Sequence, residues 1–385
     1  MPIVTASRTP RTIARAEPVG SLIRPRALTE HLDRIYADQT TAWRSLIIDE
    51  KPGAIAELNA LADASVVKLV QRQIDAGLDV VTDGEQRRII FMSSFYDGVG
   101  GMEAAEQRIQ TPNGGEVLSD PVVKERLRKV SSPMAEEATY LRAVTDFPFK
   151  VTITTPSYYF TDFAQIGDSY ANKAEYVEDV ARVTKEIVAD AIAAGARWIQ
   201  FDFPVYPALV ATDVGVMGSL IENAGGDNEW LLNKALELDA SVLADIPDDV
   251  TTAMHLCRGS VPGGFWNGSL EPIAERMFNE LPHKRFLLEW EDITRQGGYE
   301  AIKHVPSDRI VAMGMVSTKT AEVENEDDLL RNIEEAGKHL DLSQLALCSQ
   351  CGFASAYADT WEGEDVQWRK LEVIGNVANR AWGSA

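Results

Sequence analysis

The stretch TTAMHLCRGSVPGGFWNGSLEPIAERMFNELPHKRFLLEW, residues 251–290, decides the fold. It opens with an apolar, strand-length run that leads into His255 and Cys257. Residues 271–280 then place apolar side chains at three- and four-residue spacing, and a second apolar run, 285–288, ends at Glu289. Strand, helix and strand in about forty residues is the repeat of a parallel sheet, because parallel neighbours need a crossover.

The alternation continues on both sides. Apolar, β-branched-rich runs end near residues 18–21, 78–83, 151–154, 198–202, 251–255, 286–289, 310–315 and 345–348. Helical periodicity fills 54–76, 173–194, 229–244, 271–280 and 327–340, and 365–382 reads as a closing helix with Trp368, Leu371, Ile374 and Val377 on one side. These runs predict an α/β chain folded as a (β/α)8 TIM barrel. An open dinucleotide-binding sheet would need a G-x-G-x-x-G turn after its first strand, and Val19-Gly20-Ser21-Leu22 lacks that spacing.

One connection is anomalous. Residues 86–147 span about sixty positions where a barrel loop usually takes a handful, so a subdomain or lid is expected after the second strand. Within it, 98–101 and 111–115 read as breakers and 133–142 as a helix. Residues 1–16 carry Arg8, Arg11 and Arg15 without an apolar core, and read as a flexible leader and not a secretory signal. Residues 17–385 are then one barrel domain.

Composition narrows the partners. With 59 acidic against 37 basic residues the net charge is −22, which repels nucleic acid and anionic membranes over the whole surface. No run approaches the roughly 20 apolar residues needed to span a bilayer. Three cysteines are too few and odd in number for a disulfide framework. A cytoplasmic location, with thiols free to bind metal, is the expectation, and a homo-oligomer is compatible with it.

The strand ends carry many polar residues: Ser21, Asp83 with Glu85, Asp202, His255 with Cys257, Glu289 with Glu291, Ser317 with Lys319, and Cys351. At the carboxyl ends of barrel strands such groups read as catalytic. Singly, each has a plain alternative: a helix N-cap for an Asp, a satisfied core histidine for His255, a small buried hydrophobe for Cys257. Cys351 favours a metal centre, since two thiols, an imidazole and a carboxylate are zinc ligands. Cys348 lies within its apolar run and reads as structural. Glu289 is preferred to Glu291 for the metal, and the period-two rule returns Glu291 to the same side one layer on.

These residues resemble the catalytic domain of the cobalamin-independent methionine synthase family and its short, single-barrel relatives. The resemblance runs from about Glu17 to the C terminus and rests on Val-Gly-Ser at 19–21, Asp-Gly-Glu at 83–85, Gln-Phe-Asp-Phe-Pro at 200–204, His-Leu-Cys-Arg-Gly-Ser at 255–260, Glu289, Gly-Met-Val-Ser-Thr-Lys at 314–319 and Cys-Gly-Phe at 351–353. It implies zinc held by His255, Cys257, Glu289 and Cys351, and a substrate thiol activated on it as thiolate, which attacks a methyl carbon. It also implies an amino-acid thiol such as homocysteine, bound by Val19, Gly20, Ser21, Glu85 and Asp202.

The chain departs from the family's pattern in several places. A second, N-terminal barrel has no room in 385 residues. The family's proton-donating His appears here as Ser317 or Thr318, with Lys319 close by; Ser317 and Lys319 are the catalytic candidates, and the charge of Lys319 could instead balance zinc-site anions or contact an anionic group of the substrate. The folate-holding carboxylate falls near Ala208, and the aromatic that packs on the pterin near Pro156. The expected activity is therefore zinc-dependent methyl transfer to a thiol from a donor other than polyglutamyl folate. The alternatives are another thiolate alkyltransferase or lyase of this fold, such as one that adds a thiol to an epoxide, and a barrel that binds a metabolite or zinc without turnover. Glu85 and Asp202 argue against the sulfonate-bearing thiol of the epoxide case. An iron or uroporphyrinogen-type role is disfavoured by the two thiolates.

Overall fold

The computed structural model describes residues 4–35, 56–110, 116–162, 164–212, 227–259, 266–357, 359 and 363–383. The first three residues of the expected leader, positions 54 and 55 of the expected helix, the breaker at 111–115, and Ser260 lie outside the described residues.

The strands are β1 (Ala16–Glu17), β2 (Val99–Gln110), β3 (Glu116–Lys129), β4 (Val151–Thr154), β5 (Trp198–Asp202), β6 (Thr251–Leu256), β7 (Arg285–Glu289), β8 (Ile310–Val316) and β9 (Leu345–Ser349). Seven of them form one parallel sheet in the order β1-β9-β8-β7-β6-β5-β4. The segment 78–83 closes it into a (β/α)8 barrel: Asp79 N donates to Ala16 O at 2.8 Å, and Lys150 N to Val81 O at 2.9 Å. Two of the expected strands are thus shorter than their apolar runs. Pro18 ends β1 and Pro148 confines the Val81–Phe149 pairing to a single bridge, because proline has no N–H for the next rung.

Side-chain parity positions the site. Ile199, Phe201, Met254, Leu256, Phe286, Leu288, Val311 and Met313 face outward into the main core against the helices. The alternate positions Ala253, Leu287, Ala312, Ala346 and Cys348 form a separate cluster with Val19. The same parity carries Asp202, His255 and Glu289 into the barrel mouth one layer above.

Small residues leave room for charge in the lower barrel. Lys150 Nζ lies 2.8 Å from Glu17 Oε2 and 2.7 Å from Gln200 Oε1, while Arg285 pairs with Glu17 and donates to Ala14 O at 2.7 Å. Of the expected leader, Val4 N donates to Val144 O, and Arg8 and Arg11 clasp Asp79 at 2.7 and 2.8 Å.

The connection 86–147 contains an antiparallel hairpin, β2 with β3, and the helix Pro133–Val144. The expected break at 98–101 is corrected. Gly100 and Gly101 lie within β2, and the positive φ of Gly101, 99°, accompanies a bulge that bends the strand without ending it. Among the described residues no helix is long and apolar enough to cross a membrane.

Candidate functional site

His255 is the penultimate residue of β6, Cys257 follows that strand directly, Glu289 closes β7, and Cys351 follows β9. Parallel register makes these ends neighbours, and one ligand atom from each of the four lies within 4.8 Å of the others, all buried. The sulfurs of Cys257 and Cys351 are 3.6 Å apart. A disulfide would need about 2.05 Å. Two sulfurs at about 2.3 Å from a tetrahedral zinc stand about 3.8 Å apart, so the spacing and the donor set both fit that ion. Cys348 stays within β9, its thiol directed at Ala312 O.

The surroundings orient the ligands. His255 Nδ1 lies 3.4 Å from Asp202 Oδ1 and its Nε2 3.3 Å from Gln350 O, a contact that a metal at Nε2 would replace, and Asp202 is itself held by Gln200 Nε2 at 2.7 Å. Glu289 Oε1 accepts from Arg258 N, while Oε2 faces Lys319 Nζ at 3.4 Å. Burial opposes charge on His255, yet the Asp202 hydrogen bond and the charges of Cys351 and Glu289 lift it to about 9. The hydrogen bond shared with Cys351, then burial, push the Cys257 thiol well up. Without metal the cluster therefore holds protons that a bound cation displaces.

A cavity of about 150 Å³ opens beside the cluster. Val19, Ser21, Glu85 and Asp202 line it together with His255, Cys257 and Cys351. Glu85 and Phe203, also in its wall, both have φ 56°, a conformation that costs about 1–3 kcal/mol and collects at functional sites. Arg24 holds the Glu85 turn through the carbonyls of Glu85 and Arg88, each at 2.7 Å. Burial raises the Glu85 carboxyl, and its Oε2 is buried without a hydrogen-bond partner among the described residues. Gly20 makes room for this carboxylate, since a Cβ there would stand 2.9 Å from Glu85 Oε1. Gly352 does the same for Ser21, whose Oγ lies 2.1 Å from where a Cβ would be.

The remaining wall is aromatic. Phe91, Tyr158 and Phe203 face the cavity, and Phe203 stacks on Trp266 with centroids 5.4 Å apart. Ser317 and Lys319 do not line this space. They border a separate cavity of about 620 Å³ behind Glu291, and Lys319 Nζ bridges Glu289 to Glu291 at 3.4 and 2.6 Å. Glu291 is thus on the side of Glu289, as its parity predicts.

Several residues that support the candidate site escaped the sequence reading. Gln200 stood inside a quoted motif without a role, and Arg88 lies three residues beyond Asp-Gly-Glu, where its charge was a usable signal. Thr152 and Glu137 gave none, because only the folded barrel brings Thr152 to Glu85 and Glu137 to Arg88.

The family described as "Cobalamin-independent synthase, Catalytic domain" matches residues 38–261, a span that includes Glu85, Asp202, His255 and Cys257. Glu289 and Cys351 lie beyond it, so their place in the cluster rests on geometry. The uncharacterized protein YxjG of Bacillus subtilis is 31% identical, over 96% of this chain and 94% of its own. A methionine synthase of Saccharolobus solfataricus is 22% identical, over 77% of this chain and 79% of its own. Among solved structures, a Listeria monocytogenes protein assigned as a vitamin-B12-independent methionine synthase is 25% identical, with a TM-score of 0.71 over 97% of this chain and 99% of that one. A B12-independent methionine synthase from Shewanella, solved with selenomethionine, has the same fold at 19% identity and a TM-score of 0.71, covering 95% of this chain and 97% of that one.

Proposed function

This chain belongs to the cobalamin-independent methionine synthase family, and from that premise we propose that it transfers a methyl group to the thiol of an amino acid such as homocysteine, with zinc held by His255, Cys257, Glu289 and Cys351. The observation that carries this reading is the buried four-residue cluster beside a cavity in which three of its members, His255, Cys257 and Cys351, face two further carboxylates, Glu85 and Asp202. Membership supports a methyltransferase of the methionine synthase kind. The zinc, the thiol and the donor are inferred from the side chains.

Zinc, when bound, supplies a Lewis acid that lowers the pKa of a thiol in contact with it and so provides thiolate at neutral pH. The chain's own residues do the rest. Glu85 Oε2 offers an unpaired carboxylate oxygen to the substrate ammonium, and Asp202 a second carboxylate. The Ser21 turn, kept open by Gly352, takes the substrate carboxylate. Asp202 holds the proton on Nδ1 of His255, and Lys319 balances and orients Glu289. In the reaction the S–H bond breaks, sulfur bonds to the methyl carbon, and the donor departs with the electrons of its methyl bond and ends with the proton that the thiol gave up.

Phe91, Tyr158 and Phe203 offer the donor an apolar, stacking wall. Pro156 opens the turn Pro156–Phe160, and Ala208 is buried in the short helix Tyr206–Leu209. Neither supplies a contact suited to folate, which supports a donor other than its polyglutamyl form.

The Cys351→Ser protein tests the reading. It should lose stoichiometric zinc by metal analysis, and thiol methylation should fall by at least about a thousandfold, as when a group acting only on the transition state is removed. A zinc content equal to wild type would sink the ligand assignment.

A further inference from the structure

Arg88 sits between two buried carboxylates, and only one of them faces the cavity. It lies 3.4 Å from Glu85 Oε1, whereas its Nε and Nη2 make a two-pronged pair with Glu137 Oε1 and Oε2 at 2.7 and 2.6 Å. Glu137 comes from the helix Pro133–Val144, within the connection that follows the second strand. Thr152 of β4 completes the cage: Arg88 Nη1 donates to Thr152 Oγ1 at 2.8 Å, and Nη2 to Thr152 O at 2.8 Å. The Thr152 hydroxyl then donates to Glu85 Oε1 at 3.0 Å. All three titratable side chains are nearly inaccessible, with exposures of 3% for Arg88, 4% for Glu85 and 3% for Glu137.

We propose that Glu137 is a positioning residue that sets this site's preference for thiols bearing an ammonium group, by holding the Arg88 guanidinium off the cavity-facing carboxylate of Glu85. This inference rests on the amino-acid thiol reading above. The two-pronged grip of Glu137 holds the Arg88 guanidinium, which reaches Glu85 only at Oε1 and only at 3.4 Å, so the charge of Glu85 is compensated on one side alone. Its Oε2 has no hydrogen-bond partner among the described residues, and that is the state an ammonium group requires. A guanidinium prefers a carboxylate that it can grip with both prongs. Without the charge of Glu137, the nearest such carboxylate is Glu85, and pairing there would remove the acceptor that selects the substrate. The helix of the insertion thereby acts on specificity without touching the substrate.

The test compares two probes on the zinc-loaded full chain by titration calorimetry at pH 8: L-homocysteine and its des-amino analogue, 4-mercaptobutanoate. Glu137→Gln keeps the shape and removes the charge. The wild type should prefer homocysteine, and the Glu137→Gln preference should fall by about tenfold, through homocysteine alone. Adding Arg88→Gln to Glu137→Gln should restore the preference, which a merely structural role would not do. Should Glu137→Gln fail to fold, Glu137→Asp, which withdraws the charge by one methylene, should move the ratio in the same direction by about threefold. A preference unchanged from wild type in either folded variant would overturn the inference alone. Equal affinities of the two probes in the wild type would overturn the amino-acid reading and the inference with it.

Discussion

At the floor of the barrel Glu17 meets Lys150 at 2.8 Å and pairs with Arg285, and Lys150 spends a further donor on Gln200. At the mouth, Glu85 Oε2 and Asp83 Oδ2 are buried with no hydrogen-bond partner among the described residues. Both regions are dry, yet at the floor both oxygens of Glu17 are paired, whereas at the mouth Glu85 is paired at Oε1 alone and Asp83 Oδ2 meets only Arg87, at 3.8 Å. Their carboxyls respond in opposite directions. Burial raises that of Glu17, but Arg285 and Lys150 outweigh it and the net shift is downward, whereas burial holds Glu85 up and takes Glu137 up to about 7. Charge at the floor is matched within the fold, and on the proposed function the charge at the mouth is what a ligand would meet.

The comparison breaks most visibly at the floor. Lys150→Met leaves Glu17 with one partner fewer in a dry interior and should cost about 3–5 kcal/mol in urea unfolding, the usual effect of removing one member of a buried ion pair. A loss below about 1 kcal/mol would mean that Arg285 alone satisfies Glu17.

The pH dependence of stability should separate the regions next. Glu137 has a folded value raised above that of the unfolded chain, so its contribution is full below about pH 4.5 and is lost as pH rises through about 7. Glu17 is lowered, so its contribution is present above the unfolded value and is lost on acidification. Between pH 5 and 8 the stability of wild type minus that of Glu137→Gln should therefore fall, by on the order of 2 kcal/mol. Chemical denaturation at both pH values checks it, and a rising difference would contradict the assignment.

The smallest expected effect sharpens the mouth itself. Gly352→Ala places a Cβ where Ser21 Oγ now stands, 2.1 Å away, and displaces that hydroxyl. Homocysteine affinity should weaken by about tenfold while zinc content stays stoichiometric. A loss of zinc in step with affinity would show that the two halves of the site cannot be separated.

Much of this was legible in the chain. The strand ends carrying His255, Glu289 and Cys351 could be read because the residues before them alternate or run apolar. The helix Glu271–Glu280 could be read because its apolar positions recur at helical spacing. Two strands came out shorter than their apolar runs, since Pro18 and Pro148 interrupt hydrogen bonding that hydrophobicity does not report. The strands β2 and β3 were missed altogether, because the glycines at 98–101 read as an end where Gly101 makes a bulge.

By itself the sequence determined the parallel barrel, the candidate ligand types and the strand ends that bear them, because periodicity and side-chain chemistry are local properties. Only the tertiary structure decided which groups are paired. Glu137 reaches Arg88 across 49 residues, and Lys150 reaches Glu17 across 133. Lys319 turns to Glu289 and Glu291 and away from the cavity. Charge balance depends on distance in space and on the exclusion of water, and neither is written in the order of the residues.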